Sequence, residues 1–292
     1  MAVETAVTEA ELEAMWVHIA EAWTGLGSNE PLWSVLSDPR YLTKSRPTPD
    51  AVKDFYESGR GDRDYLLSFL GRAGIANNRF PVVAEYGCGV GRTTRWLAGS
   101  FDHIRAIDIS TSHLAMARAH LAESDVTNVN FHHLAGRDGL SHLAGVDLFF
   151  SIIVLQHNPP PLILDILDRA FAGLNPGGVA FFQVPIYSID YEFSVGPYLQ
   201  KTASKKSMEG HFVPQVEIFK LACVFRRSRP VIPLELGHLV RTKPAGYSDS
   251  FRPGWRRPLT DSRLPLRRQG GQAEASAAVL FLRSESPLSL RR

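Results

Sequence analysis

The chain has 292 residues, a net charge of +2 and an ordinary globular composition, with 44% hydrophobic and 21% charged residues. Its two cysteines, Cys88 and Cys223, lie in no CxxC pair, which argues against a disulfide framework or a cysteine zinc site. No run of about 18 apolar residues occurs, and the acidic N-terminus lacks the order of a signal peptide, so we expect a cytoplasmic protein without a membrane span.

Residues 1–78 are predicted to form an N-terminal helical segment on the lid or substrate side. Thr8 and Glu11 have the spacing of a capping box, with apolar residues recurring on one face after them. Thr48-Pro49 predicts a second helix start, and residues 62–73 a further short helix. By their helical spacing, Trp16 and Trp23 are expected to be packing residues.

From residue 79 to 224 the pattern alternates between strands and helices. Short apolar runs occur at 81–86, 103–108, 129–134, 146–152 and 178–184, and helix-like stretches separate them at 91–99, 111–122 and 160–173. This alternation implies right-handed crossovers, and it predicts an α/β fold with a Rossmann-like, doubly wound, mostly parallel sheet.

An aromatic-rich insert at 186–212 interrupts the alternation. Tyr187, Tyr191 and Tyr198 either line an acceptor pocket, because the insert follows the fifth strand, or fill the core. A helix is expected to return near 213–224.

The segment 225–292 is rich in Arg and Pro. Residues 221–292 carry 14 Lys and Arg against 5 Asp and Glu, and only weak strands are predicted, near 231–240 and 276–283. Such a basic tail is compatible with nucleic-acid or membrane-surface contact, but the arginines form no stripe, so we expect solvated charge and no nucleic-acid partner.

A glycine-rich loop at 85–91 is the most informative motif. In PVVAEYGCGVGRTTRWLA (81–98), an apolar strand ends at Glu85, Gly87, Gly89 and Gly91 follow, and a helix begins directly. Glycine permits a sharp turn and close ligand approach, and a helix start favours anionic groups. The spacing is GxGxG, whereas a dinucleotide fold prefers GxGxxG, whose last glycine would fall on Arg92.

A carboxylate stands at the end of the next predicted strand. HIRAIDIS (103–110) places Asp108 there, 21 residues after Gly87, where it can accept both hydroxyls of a ribose. Because Ser110 or Thr111 already serves as the helix cap, Asp108 is free for a ligand. Strand, glycine loop, helix, strand and Asp108 together predict a nucleoside-type cofactor site.

These features resemble the class I S-adenosylmethionine-dependent methyltransferases over about residues 80–222. The resemblance includes EYGCGVGRTTRWLA, IDIS at 107–110, DLFFSIIVLQH at 147–157 and LNPGGVAFFQVP at 174–185, while GLGSNEPLWSVLSDP resembles bacterial sugar- or polysaccharide-modifying methyltransferases. It implies S-adenosyl-L-methionine as cofactor. The loop with Glu85 and Cys88 would hold its methionine part, Asp108 its ribose, and Ile109 one face of its adenine.

Two further cofactor contacts are expected. Family members carry an acidic residue after the third strand that touches the adenine amino group; Ala135 aligns there, which transfers the contact to Asp138 or to backbone. Ser151 reaches the ligand edge at the end of the fourth predicted strand, since ligands bind beyond the carboxyl ends of parallel strands.

His157 is the candidate general base, because histidine titrates near neutral pH and can take a hydroxyl proton; otherwise it only packs at a turn.

We expect no metal, a monomer or homodimer, and a small-molecule acceptor, a hydroxyl of a sugar or related metabolite. The alternatives are a cofactor-binding protein with little or no activity, a nicotinamide-dependent oxidoreductase, and a nucleic-acid methyltransferase.

Overall fold

The computed structural model describes residues 1–200, 208–224 and 274–282. The strand predicted near 231–240 therefore lies outside the described residues, as does most of the basic segment. The described strands are β1 (Ala2–Val3), β2 (Val82–Tyr86), β3 (His103–Asp108), β4 (Val129–His133), β5 (Val146–Ser151), β6 (Leu174–Ser188), β7 (Glu192–Phe193) and β8 (Glu274–Leu282). The helices are α1 (Glu9–Asn29), α2 (Pro49–Arg72), α3 (Thr94–Ala98), α4 (Thr111–Ala122), α5 (Pro160–Gly173), α6 (Val195–Gln200) and α7 (Gln215–Val224).

Six of the described strands form one sheet in the order β4-β3-β2-β5-β6-β8. All neighbours are parallel except β6 and β8, which are antiparallel. The order reverses between β2 and β5, and in open α/β sheets the ligand crevice lies at such a switch point, beyond the carboxyl ends of the strands. The predicted Rossmann-like, mostly parallel sheet is confirmed, and the strand predicted at 276–283 is β8.

The core lies on both faces of this sheet. On one face α5 and parts of α1 and α7 cover residues such as Phe149 and Phe182, and on the other face α2 covers Phe150 and Phe181. Since β2, β5 and β6 are buried on both sides, their sequences are almost continuously apolar, as expected for central parallel strands. This rigid frame positions the loops at its edge.

The N-terminal helices begin where the sequence predicts and pack directly on the sheet domain. Thr8 Oγ1 accepts from the Glu11 amide, and Glu11 Oε2 accepts from the Thr8 amide at 2.7 Å, which is the predicted capping box. The separate helix predicted at 62–73 is wrong, because α2 runs unbroken from Pro49 to Arg72. Its Gly59 is not a breaker: a Cβ there would lie 2.0 Å from the Arg92 carbonyl oxygen, so glycine permits close packing.

In its described residues, the insert after the fifth strand of the sheet contains regular structure up to Gln200. β6 continues through Ser188, and β7 pairs in parallel with β1 at the N-terminus. Tyr198 and Phe193 are buried against Met15 of α1, with Tyr191 packed on them, whereas Tyr187 is exposed. Core filling, rather than lining of a pocket, therefore describes Tyr191 and Tyr198.

Candidate functional site

The glycine loop turns between β2 and α3 with glycines in left-handed conformations. Gly87 and Gly89 have φ of 77° and 55°. A Cβ on Gly89 would lie 2.9 Å from a methyl of Val35, and one on Gly87 would collide with Val154. The backbone of the loop is therefore pressed between two apolar side chains, and only glycine fits.

Asp108 holds this loop in place. Its carboxylate accepts from the Gly89 amide at 2.8 Å and from the Ser110 amide at 2.8 Å. His113 lies beside it, with Nδ1 at 3.7 Å from Oδ1, and the other ring nitrogen of His113 is 3.0 Å from the Ser34 hydroxyl. Since a carboxylate offers about four lone-pair positions, Asp108 can still accept hydroxyl groups from a ligand.

Glu85 is a buried acid that faces the same cavity. It is 4% exposed, and its Oε2 is buried without a hydrogen-bond partner in the described residues. Burial raises the pKa of Glu85 to about 8, against the opposing effects of a Thr94 hydrogen bond and the charge of Arg92. A neutral, unsatisfied acid of this kind is suited to receive a cationic group, which would favour its ionised form.

Arg92 joins the loop to the N-terminal segment. Its guanidinium pairs with Asp62 of α2 and donates to the Ser58 hydroxyl at 3.2 Å. Arg92 stands at the position where a dinucleotide motif has its third glycine. Its partly buried ion pair with Asp62 fixes α2 against the loop.

One cavity collects these groups at the switch point of the sheet. It encloses about 80 Å³, well below the roughly 300–1,000 Å³ of typical small-molecule pockets. Its walls come from α1, the 34–35 segment, the glycine loop, the end of β3 and the loop after β5. They are Ile19, Trp23, Ser34, Val35, Glu85, Tyr86, Gly87, Cys88, Gly89, Arg92, Thr93, Asp108, Ile109, His113, Phe150, Ile152, Ile153, Val154, His157 and Asn158.

His157 lies opposite the glycine loop, in the short turn Leu155–His157. Its Nδ1 is 2.7 Å from the Glu209 carbonyl oxygen, and since a carbonyl only accepts, Nδ1 must carry the proton. Nε2 is then the free acceptor. Burial lowers the pKa of His157 to about 4, so the ring is neutral at physiological pH. The centroid of the Trp23 ring lies 5.1 Å from that of the His157 ring.

The loop that carries His157 contains a strained residue. Ile153 has φ of 60°, a conformation that β-branched residues rarely adopt. It lines the cavity immediately after β5. Strained backbone of this kind clusters at functional sites.

The structure brings most of the predicted site residues together. Those that line the cavity are Glu85, Gly87, Cys88, Gly89, Asp108, Ile109 and His157. Gly91, Asp138 and Ser151 do not line it. A Cβ on Gly91 would crowd Leu121 and Ala117 of α4, the Ser151 hydroxyl donates to the Tyr86 carbonyl at 3.1 Å, and Asp138 is exposed and accepts from the Gly139 amide.

Several wall residues come from the N-terminal segment that the sequence predicts on the lid or substrate side. Trp23, whose helical spacing favours packing over a place in such a lid, borders the cavity, as do Ile19 and Val35. No local pattern indicates them, because their role depends on long-range packing. In the described ranges no group of three or more His, Cys, Asp or Glu is placed to hold a metal ion, and no helix is long and apolar enough to span a membrane.

Part of the chain that forms this site is similar to known proteins. Residues 83–178 match the family model described as a methyltransferase domain. The chain is similar to a ubiquinone biosynthesis O-methyltransferase of Aromatoleum aromaticum, at 32% identity over 111 residues, 38% of this chain and 45% of the relative. It is also similar to one of Paraburkholderia phytofirmans, at 33% over 101 residues, 34% of this chain and 42% of the relative. The match thus spans less than half of the length of these curated relatives.

A solved structure with some similarity is magnesium protoporphyrin IX methyltransferase from Synechocystis PCC 6803 with bound SAH. The TM-score is 0.43 at 15% identity, covering 77% of this chain and 85% of the other.

Proposed function

Because this chain carries a class I S-adenosylmethionine-dependent methyltransferase domain, we propose that it transfers the methyl group of S-adenosyl-L-methionine to a hydroxyl of a small acceptor with an aromatic or apolar body. The observation that carries the proposal is the loop at the switch point, where Gly87 and Gly89 expose backbone between Glu85 and Asp108.

The residues present fit this cofactor. The unpartnered Oε2 of Glu85 suits the ammonium group of its methionine part, and the remaining lone pairs of Asp108 suit its ribose hydroxyls. Ile109, at the cavity wall beside Asp108, would pack on its adenine. When bound, the cofactor supplies an electrophilic methyl group on sulfur. The protein then has to orient the acceptor, exclude water and take up a proton.

His157 is the residue proposed to take that proton. It lines the cavity, its Nδ1 is committed to the Glu209 carbonyl, and its Nε2 is a free acceptor. With a pKa of about 4 it is a weak base, better matched to an acidic hydroxyl such as a phenol, of pKa about 10 as in tyrosine, than to an aliphatic alcohol.

The walls near His157 favour an aromatic or apolar acceptor over a sugar. Trp23, Ile19 and the 152–154 segment present ring and aliphatic surface. The amide nitrogen of Asn158 is already engaged with the Val154 carbonyl at 3.1 Å, which leaves few side-chain donors for several sugar hydroxyls. The similar proteins named above are themselves O-methyltransferases by name. The expected sugar acceptor therefore becomes the second candidate.

Two measurements test the proposal. Calorimetry should detect S-adenosylmethionine binding, and Asp108→Asn should weaken it by roughly 10- to 100-fold, since one or two hydrogen bonds to a charged group are lost. Asp138→Asn is the matched control, because that carboxylate is exposed and away from the cavity; it should bind as the native protein does. Equal affinity of the Asp108 variant would contradict the site.

Labelled-methyl transfer to a panel of phenols, catechols, monosaccharides and oligonucleotides separates the acceptor classes. Turnover with phenols alone supports the proposal, and turnover with sugars alone would overturn the acceptor class. Cofactor binding without turnover on the whole panel would favour a cofactor-binding protein. Binding of a nicotinamide dinucleotide in place of S-adenosylmethionine would favour an oxidoreductase.

A further inference from the structure

A second polar cluster lies behind His157, with His211 buried and Glu209 and Tyr191 half-buried. The segment that contains Glu209 and His211 makes two hydrogen bonds to the turn that carries His157. The His211 amide donates to the Gln156 carbonyl at 2.7 Å, and His157 Nδ1 donates to the Glu209 carbonyl at 2.7 Å. Glu209 and His211 are thus hydrogen-bonded to two consecutive residues of the turn.

The side chain of His211 anchors this segment. Tyr191 Oη is 2.9 Å from His211 Nδ1, and His211 Nε2 is 3.2 Å from Glu209 Oε2. Because an ionised carboxylate only accepts, Nε2 carries the proton and Nδ1 accepts the Tyr191 hydroxyl proton. His211 is 6% exposed, and the centroid of its ring lies 5.7 Å from that of the buried Tyr198. The tyrosines of the insert therefore support this cluster.

A merely structural anchor would not need to touch the proposed base. Placing the imidazole of His211 in a largely buried site is costly unless its nitrogens are hydrogen-bonded, so a satisfied network of this kind specifies one arrangement. Here the same residue, Glu209, accepts the hydrogen bond of His157 Nδ1 through its main-chain carbonyl. That hydrogen bond determines which ring nitrogen is free, in the same way that a partner on one nitrogen fixes the tautomer of other functional histidines.

We propose that Glu209 and His211 are positioning residues, which hold His157 in the orientation and tautomer that leave Nε2 free to accept the proton of the substrate hydroxyl. The catalytic consequence rests on the function proposed above, whereas the structural consequence for His157 does not. Among the described residues, the charged and titratable groups around His157 are Glu209 and His211 behind it, and those on the other walls of the cavity, which are Glu85, Tyr86, Cys88, Arg92, Asp108 and His113. From α1 the uncharged Trp23 packs against it.

Nitrogen NMR of histidine-labelled protein between about pH 2.5 and 8 tests the structural part directly. The His157 signals are identified by their loss in His157→Gln. The native ring should carry its proton on Nδ1 and titrate near the value of about 4 to which burial lowers the pKa. In His211→Phe, a mixture of tautomers is expected because the ring loses its fixed partner. The pKa of His157 should rise by about one unit or more, because the ring gains solvent and loses the neighbouring charge of His211, which together outweigh the lost hydrogen bond to Glu209.

Matched variants separate positioning from simple loss of stability. Glu209→Gln keeps both an acceptor for His211 and the main-chain carbonyl, so its His157 signals should remain native, whereas Glu209→Ala should resemble His211→Phe. Tyr187→Phe changes an exposed tyrosine of the same insert and should have no effect. If His211→Phe fails to fold, Tyr191→Phe removes one hydrogen bond and should shift the same signals less.

A native tautomer and native titration midpoint in folded His211→Phe and Glu209→Ala would overturn the proposal, even if both melt at lower temperature. With an acceptor in hand, His211→Phe should lower kcat by roughly 10- to 100-fold without a change in cofactor affinity, as expected for a misplaced group. A shifted His157 in a protein that methylates nothing would refute the proposed function and leave the positioning intact.

Discussion

The two sides of the cavity are held by different kinds of interaction. On the glycine-loop side, formed by β2, residues 85–91 and Asp108, main-chain amides of Gly89 and Ser110 bind one carboxylate. On the His157 side, formed by Trp23, residues 152–158 and the 209–211 segment, the contacts join parts of the chain that are far apart in sequence.

This difference suggests which side can vary. A loop held by its own backbone tolerates few changes, because glycine and Asp108 are needed for its conformation. A wall built from remote side chains can change one residue at a time, and so can be adapted to different acceptors without disturbing the cofactor loop.

The largest expected effect comes from removing the base on the variable side. His157→Gln should lower kcat by roughly 10²- to 10⁴-fold, the range that general bases contribute, while calorimetry shows native cofactor affinity. His142→Gln, at a half-buried histidine away from the cavity, serves as the control. Native kcat in the His157 variant would remove this residue from the chemistry.

A smaller effect, on binding and stability, is expected from the backbone-held side. Gly89→Ala places a Cβ 2.9 Å from Val35 at a φ of 55°, so it should cost about 1–3 kcal/mol of stability and weaken cofactor binding. Gly61→Ala is the matched helix variant, where a Cβ meets nothing within 4 Å; it should be neutral or stabilising by up to about 1 kcal/mol. Thermal melts and calorimetry compare the two. Equal behaviour would show that the loop is not constrained.

A third effect is the pH dependence contributed by Glu85. Its folded pKa of about 8 lies above the ordinary value of 4.5, so the folded state holds a proton that the unfolded state has lost. This contribution therefore decreases stability as pH rises between these values, by at most about 1.4 kcal/mol per pH unit. Denaturant unfolding at pH 5 and pH 8 should show a smaller decrease for Glu85→Gln than for the native protein. An equal decrease would mean that Glu85 titrates normally.

The glycine-loop side was predictable from sequence because its signals are local. A buried strand, closely spaced glycines, a helix start and Asp108 at the end of the next strand all lie within about 25 residues. The mostly parallel sheet follows from the alternation of strands with helices. Glu85, Gly89 and Asp108 accordingly line the cavity where the sequence placed that loop.

The other side was predicted only in part. Ser151 was placed at the correct edge, but its hydroxyl turns to the Tyr86 carbonyl of the neighbouring strand, which the end of a strand does not reveal. Trp23 and His211 reach the site through tertiary packing alone. Asp138 lies on an exposed turn after β4. The sequence did not predict this position, because no nearby pattern indicates how the chain leaves β4.

The unpartnered oxygen of Glu85 has a consequence for ligand capture. An acid that is largely neutral before a cation arrives and ionised afterwards gives up its proton on association. Under the proposed function, the enthalpy of cofactor association near pH 7 would then depend on the ionisation heat of the buffer. The slope of that dependence gives the number of protons released when the charged amino group of the cofactor binds.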